Sequence, residues 1–254
     1  MNREELEKYK GVIGYSLGQI EKDYFQHIVL GAISRKAAGL LVFKGGTALQ
    51  KTGIIRRFSE DIDFTARKSI TIEKIRDISK RAIKKYNYTV DSDKIITDER
   101  TSGFRLKIKG LLFKNARGIC TIRVEISKRE KVLLPLQRRE FSPLYTDIIP
   151  YVLDIMSYEE ILAEKIRAIY TRNKARDVYD MYHLLKQHTK IEVDVVNKKL
   201  SYYGLSFDEL SFLNHCKKLR KNWNNELKSL METVLPFDEI FSYVQDSTNK
   251  LIDE

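Results

Sequence analysis

The sequence predicts an α/β (α+β) fold, in which strands and helices mix in the first half and helices alone make up the second. Three observations predict it. A short apolar run at residues 40–43 stops at Gly45-Gly46 and is followed by the alternating stretch 59–64. Residues 104–109 and 120–126 alternate strictly between apolar and polar around a turn. From residue 157 onward only helical spacing recurs. The boundary belongs between residues 145 and 157, giving expected domains 1–150 and 151–254.

Taken in order, Leu17, Ile20, Tyr24, Ile28 and Ile33 recur at roughly helical spacing and predict an amphipathic helix within 15–38. The strand at 40–43 ends at two glycines, residues that let a backbone approach a ligand closely. Thr47 and a short helical segment come next. A strand over 59–64 puts Asp61 and Asp63 on one face and Ile62 and Phe64 on the other. Two adjacent carboxylates repel unless a cation sits between them, so this arrangement suits a divalent metal. Residues 70–86 carry Ile72, Ile75, Ile78, Ala82 and Ile83 on one side, a second helix ending near Asn87.

The stretches 104–109 and 120–126 then form a hairpin. Phe104, Leu106, Ile108, Cys120, Ile122, Val124 and Ile126 share its apolar face; Arg105, Lys107, Lys109, Thr121, Arg123 and Glu125 share the polar one. A looser segment with Pro135, Pro143 and Pro150 links this sheet to the helical half of the chain. Ser157-Tyr158-Glu159-Glu160 reads as a capping box that opens a helix with Ile161, Leu162, Ile166 and Ile169 inward. A second helix comes after it with Val178, Met181, Tyr182 and Leu185 at helical spacing. Further helices are expected at 193–203, at 207–230 behind a capping box at 206–209, and from Pro236.

Composition bounds the function. Of 254 residues 43% are hydrophobic, enough for a real core, yet no apolar run approaches membrane-spanning length. The charged first residues do not resemble a signal peptide, so a cytoplasmic protein without a membrane partner is expected. Cys120 and Cys216 lack metal-ligand spacing and read as reduced core thiols, and the four histidines show no ligand spacing either. The net charge is +11. Residues 105–139 hold eleven Lys or Arg against Glu125 and Glu130, which suits an electrostatic seat for nucleic acid or triphosphate.

Residues 45–52 miss a Walker A loop because Gln50 stands where the second glycine must be. The alternative is a loop whose amides, at Gly46 and Thr47, hold the phosphates of a nucleotide, with Asp61 and Asp63 binding Mg²⁺ ions that bridge them. Glu125, the only acid on the hairpin's polar face, is the candidate third carboxylate; it could equally pair with Arg105 or Lys107. Lys165 has only Ile161, Leu162, Ala168 and Ile169 three and four residues away, so its own helix offers no ion pair.

Four blocks, residues 43–49, 57–64, 163–168 and 175–182, together resemble the AbiEii-type nucleotidyltransferase toxins of type IV toxin–antitoxin systems. The resemblance implies a polymerase-β-like nucleotidyltransferase core with a mixed sheet, an all-helical carboxy-terminal domain, two Mg²⁺ ions and NTP as substrate. It also implies a cognate antitoxin and, as one acceptor, the 3′ end of tRNA. By the same resemblance Lys44, Gly45, Gly46 and Thr47 form the phosphate loop, Asp61 and Asp63 the metal pair, and Lys165, Arg176 and Asp177 lie near the nucleotide, with Asp180 orienting Lys165. Glu125 belongs to no matched block. The expectation is therefore metal-dependent transfer of a nucleoside monophosphate to an acceptor hydroxyl, with RNA favoured over a small molecule or a protein, and a monomeric enzyme. A catalytically silent nucleotide- or RNA-binding module is the competing reading.

Overall fold

The computed structural model describes residues 1–249. The chain divides into two compact units. The first comprises Met1–Ala48, Glu60–Lys131 and Leu136–Ile155; the second comprises Leu49–Ser59, Val132–Pro135 and the chain from Met156 onward.

In the first unit, helices α1 (Arg3–Lys8), α2 (Lys10–Ile13) and α3 (Leu17–Lys36) precede strand β1 (Leu41–Lys44). Helix α4 (Gly45–Lys51) starts directly at the end of β1. Strand β2 (Ile62–Ala66), helix α5 (Ile72–Lys85) and strands β3 (Thr89–Ser92), β4 (Ile96–Thr97), β5 (Thr101–Lys109), β6 (Cys120–Ser127), β7 (Gln137–Phe141) and β8 (Tyr151–Ile155) complete it. All eight strands form one mixed sheet, ordered β3-β5-β6-β2-β1-β8-β7, with β4 beside β5. The pairs β1/β8 and β2/β6 are parallel and the rest antiparallel.

The predicted hairpin is β5/β6, with Phe104 opposite Val124 and Leu106 opposite Ile122. Strands β3, β4, β7 and β8 were not expected, and two of them occupy the segment read as a loose linker. Pro135, Pro143 and Pro150 fall outside β7 and β8, where a missing N–H breaks no ladder. Helix α3 differs from its expected amphipathic form. It is capped by Ser16 in a capping box, and it buries Glu21, Asp23, Gln26 and His27 along with its apolar residues. Each of these side chains makes at least one polar contact, as buried polar residues usually do. Glu21 accepts from the Leu112 amide at 2.7 Å, Asp23 from the Tyr145 hydroxyl at 2.8 Å, His27 Nδ1 lies 2.8 Å from the Tyr151 hydroxyl, and Gln26 donates to the Glu60 carbonyl at 3.0 Å.

The second unit contains helices α6 (Tyr158–Thr171), α7 (Ala175–Lys186), α8 (Val193–Ser201), α9 (Glu209–Lys218), α10 (Trp223–Leu227) and α11 (Phe237–Asn249). Its core includes Ile166, Met181, Leu200, Phe212 and Trp223. Ser157 does cap α6, but no capping box closes there. Glu160 instead accepts from the amides of Leu133 and Leu134 and lies 2.7 Å from the buried ammonium of Lys199. The helix expected over 207–230 is capped by Asp208, two residues after the expected Ser206, and ends at Lys218; a 3₁₀ turn (Leu219–Asn222) separates it from α10. Both cysteines are free and buried, and burial raises each thiol to about 12. Among the described residues no helix is long and apolar enough to cross a membrane.

Candidate active site

The geometry around the glycine pair follows from two local constraints. Gly45 has φ +75°, a left-handed conformation that L side chains rarely adopt. A Cβ there would lie 2.8 Å from Asp63 Oδ2, so the loop backbone rests against that carboxylate. Thr47 is fully buried, and its hydroxyl donates to the Asp61 carbonyl in a very short hydrogen bond. Gln26 holds the preceding Glu60 carbonyl from α3. The backbone entering β2 is thus held at two successive residues, which orients both aspartates before any ligand arrives.

Strand register then aligns the charged groups. Asp63 has Lys44 as its partner on β1 and Glu125 on β6, and Glu125 has Gly103 on β5. Gly103, Glu125, Asp63 and Lys44 therefore form one row across four strands, on one face of the sheet. Asp61 sits one residue before β2. Ile62 and Phe64 are buried, whereas Asp61 and Asp63 are half-buried. The Glu125 carboxylate accepts a short hydrogen bond from Arg123, two residues earlier on the same strand. Neither Arg105 nor Lys107 is its partner, because the hairpin register sets Arg105 opposite Arg123 and leaves a glycine opposite Glu125.

Among the described residues no group of three or more His, Cys, Asp or Glu side chains is assembled to hold a metal ion. Two carboxylates on one face remain, hard oxygen donors held by backbone contacts. That donor set suits Mg²⁺, which is commonly held by one or two carboxylates together with substrate phosphates and water. The Gly45–Asp63 contact gives a direct check. Gly45→Ala is expected to lower nucleotide transfer by about 10²-fold through displacement of Asp63. Left-handed strain should remove roughly 1–2 kcal/mol of stability. Label transfer and urea midpoints would measure the two effects.

In the second unit Lys165 on α6 meets Asp177 and Asp180 on α7, at 3.0 and 2.5 Å. Its partners thus come from the neighbouring helix. Arg57 closes the cluster, its Nε and Nη2 each 2.6 Å from an Asp180 oxygen, while Nη1 donates to the Phe58 carbonyl at 3.0 Å. Arg172 binds both oxygens of Asp177 at 2.8 Å. Relative exposures of 2% for Arg57, 5% for Lys165 and 0% for both aspartates mark this as a buried network. Burial pushes both carboxyls up, but the surrounding cations outweigh it: Lys165 and Arg172 hold Asp177 below the usual range, and Arg57 and Lys165 do the same for Asp180. Arg176 is directed elsewhere, 3.7 Å from Glu226, whose carboxylate also accepts from the Ala175 amide. Sequence reasoning missed Arg57 as a member of this cluster. Its one signal was its place at the head of the block 57–64.

The chain resembles a set of solved structures, three of which show the extent of the likeness. JHP933 from Helicobacter pylori aligns with a TM-score of 0.62 at 20% identity, over 92% of this chain and 91% of that one. A putative nucleotidyltransferase from H. pylori gives 0.63 at 19%, over 92% and 95%. MenT4, a nucleotidyltransferase toxin from Mycobacterium tuberculosis H37Rv, gives 0.70 at 18%, over 100% and 90%. At such identities the likeness is one of fold. No curated protein matches the chain in sequence. The family model described as "Nucleotidyl transferase AbiEii toxin, Type IV TA system" matches residues 29–243. With most of its length matched, including the glycine loop, the aspartate pair and the Lys165 cluster, the chain belongs to the AbiEii nucleotidyltransferase toxin family and is a nucleotidyltransferase.

Proposed function

We propose that this toxin transfers a nucleoside monophosphate from an NTP to an RNA hydroxyl, with the 3′ end of tRNA as the favoured acceptor, in a Mg²⁺-dependent reaction. The observation that carries the reading is the apposition of the Gly45 backbone and the Asp63 carboxylate. It sets the turn that opens α4 beside the Asp63 carboxylate, so that backbone amides and acidic oxygens would face one ligand.

Asp61 and Asp63 would hold the metal, and Glu125, in register with Asp63, would join them on release from Arg123. Bound there, Mg²⁺ supplies charge neutralisation for the transferring phosphoryl group and acidifies the attacking hydroxyl. The amides of Gly46 and Thr47 donate to phosphate oxygens, and Lys44 and Gly45 complete that loop. In the second unit Lys165 serves as a point charge for the nucleotide, its position fixed by Asp177 and Asp180. The acceptor oxygen bonds to the α-phosphorus, the α–β bridging bond breaks, pyrophosphate leaves and the hydroxyl proton is released. Catalysis of this kind is positioning and electrostatics. A nucleotide added to the 3′ end of tRNA blocks aminoacylation, which fits a toxin acting in the cytoplasm as a monomer, with a cognate antitoxin as its partner.

The basic stretch 105–139 favours RNA over a small-molecule or protein hydroxyl. The test is to incubate the protein with each α-labelled NTP, Mg²⁺ and either total tRNA or total protein. Label in tRNA, lost on chelation, is the expected result. Label in protein alone would overturn the acceptor. Absence of label anywhere, with RNA still bound, would indicate a silent binding module.

A further inference from the structure

We infer that the open face of β5 and β6 is a seat for the phosphate backbone of a single-stranded RNA segment, leading away from the Asp63 row. The inference deepens the RNA-acceptor reading and rests on it only for where the strand ends.

The first observation is an electrostatic cost. Arg105 and Arg123 are Cα partners on adjacent strands, and like charges directly opposite destabilise a sheet. Arg123 has Glu125 to offset it, whereas the exposed Arg105 guanidinium has no hydrogen-bond or ion-pair partner among the described residues. A cation placed against another cation on an exposed face gains most from an external anion.

The second observation is periodicity. Arg105, Lys107 and Lys109 are exposed and alternate along β5 on the face that carries Gly103 and, across the ladder, Glu125. Residues two apart on a strand are separated by about 6.7 Å. That is close to the spacing of successive phosphates on an extended single strand. Lys107 is the weakest member, since Asp93 lies 2.5 Å from its ammonium. Lys109 sits 5.2 Å over the Phe113 ring, so the far end of the track offers an aromatic face beside a cation. Charge along the backbone with an aromatic platform is the pattern that sequence-tolerant single-strand binders use.

The third observation is position. Arg105 and Arg123 stand two residues along their strands from Gly103 and Glu125, whose row contains Asp63. A strand ending at Asp63 would therefore place its preceding phosphates over these cations. A small acceptor would engage at most the first of them, so the length of the track favours a polymer.

The test is binding of a fluorescent single-stranded oligoribonucleotide of about ten nucleotides, measured against salt for the wild type and for the double variant Arg105→Gln, Lys109→Gln. Both side chains are exposed, and an unchanged melting temperature confirms folding. The expected result is an affinity about tenfold lower or more, with the slope of log affinity against log salt reduced by about 1.4, two single-strand phosphate contacts. Unchanged affinity and slope would overturn the track. Equal binding of the same RNA annealed into a duplex would overturn the single-strand assignment. Parallel transfer assays separate this from the proposed function. RNA held on the track but never labelled would sink the acceptor reading and leave the track standing; labelled RNA with an unchanged KM in the double variant would do the reverse.

Discussion

Asp63→Asn should abolish nucleotide transfer, a loss on the order of 10³-fold, while leaving the protein folded. The substitution preserves shape and removes one negative charge. Asp63 is half-buried, in register with Glu125 on one side and Lys44 on the other, so the lost charge removes a repulsion and an attraction together. Stability should change little. The chemistry should suffer because an amide donates where a cation needs an acceptor, directly beside the Gly45 backbone. Transfer from α-labelled NTP, followed with thermal melting by circular dichroism, measures both. A variant with wild-type transfer would remove Asp63 from the metal site and, with it, the proposed mechanism.

Arg57→Met should strongly destabilise the second unit, costing about 3–5 kcal/mol. The pair it breaks is fully buried, and Asp180 would keep Lys165 as its only nearby cation among the described residues. Pairing Arg57→Met with Asp180→Leu should recover part of the loss, because no unpaired carboxylate then remains. Recovery stays incomplete, since Lys165 also depends on Asp180. Urea midpoints for both single variants and the double variant close the cycle. The sign of the pH dependence follows from the direction of the shifts. Folded Asp177 and Asp180 titrate below their unfolded values, so their contribution is complete above the ordinary carboxylate pKa of about 3.9 and fades as pH falls toward the lower folded values. Wild-type stability should therefore decline below about pH 4, and that decline should be shallower in Asp180→Leu. An equal acid slope in both would remove Asp180 from the account.

The central strands were legible because one-sided burial imposes a period of two. The register of β5/β6 follows directly from the alternation of Phe104, Leu106 and Ile108 against Cys120, Ile122 and Val124. Strand β7 was not legible, since four of its five residues, Gln137 to Glu140, stay at least partly exposed and no apolar face exists to alternate. Strand β8 does alternate in burial, but it lies directly behind Pro150, a signal that favoured a loop. In α3 the buried polar residues erased the expected polar face; their partners Leu112, Tyr145 and Tyr151 lie 91 to 124 residues away. Periodicity cannot report such pairings. The glycine loop and Asp61-Ile62-Asp63 could be read as a unit because short-range chemistry defines them. The ion pairs of Lys165 could not, because counting along one helix does not reach Asp177 or Asp180, and Arg57 is 123 residues from its partner.

Residues 49–59, which carry Arg57, belong to the helical second unit although they lie between the glycine loop and Asp61. No uninterrupted stretch of the gene therefore encodes that unit. A recombination event that exchanged everything after Met156 would deliver Asp180 without its guanidinium, and one that kept only the sheet would leave Arg57 behind without its carboxylate. The two halves are in this sense not modules, and variation in one has to be tolerated by the other within a single lineage. Diversification in such a protein is channelled into substitutions and surface loops, with wholesale exchange of the helical part closed off.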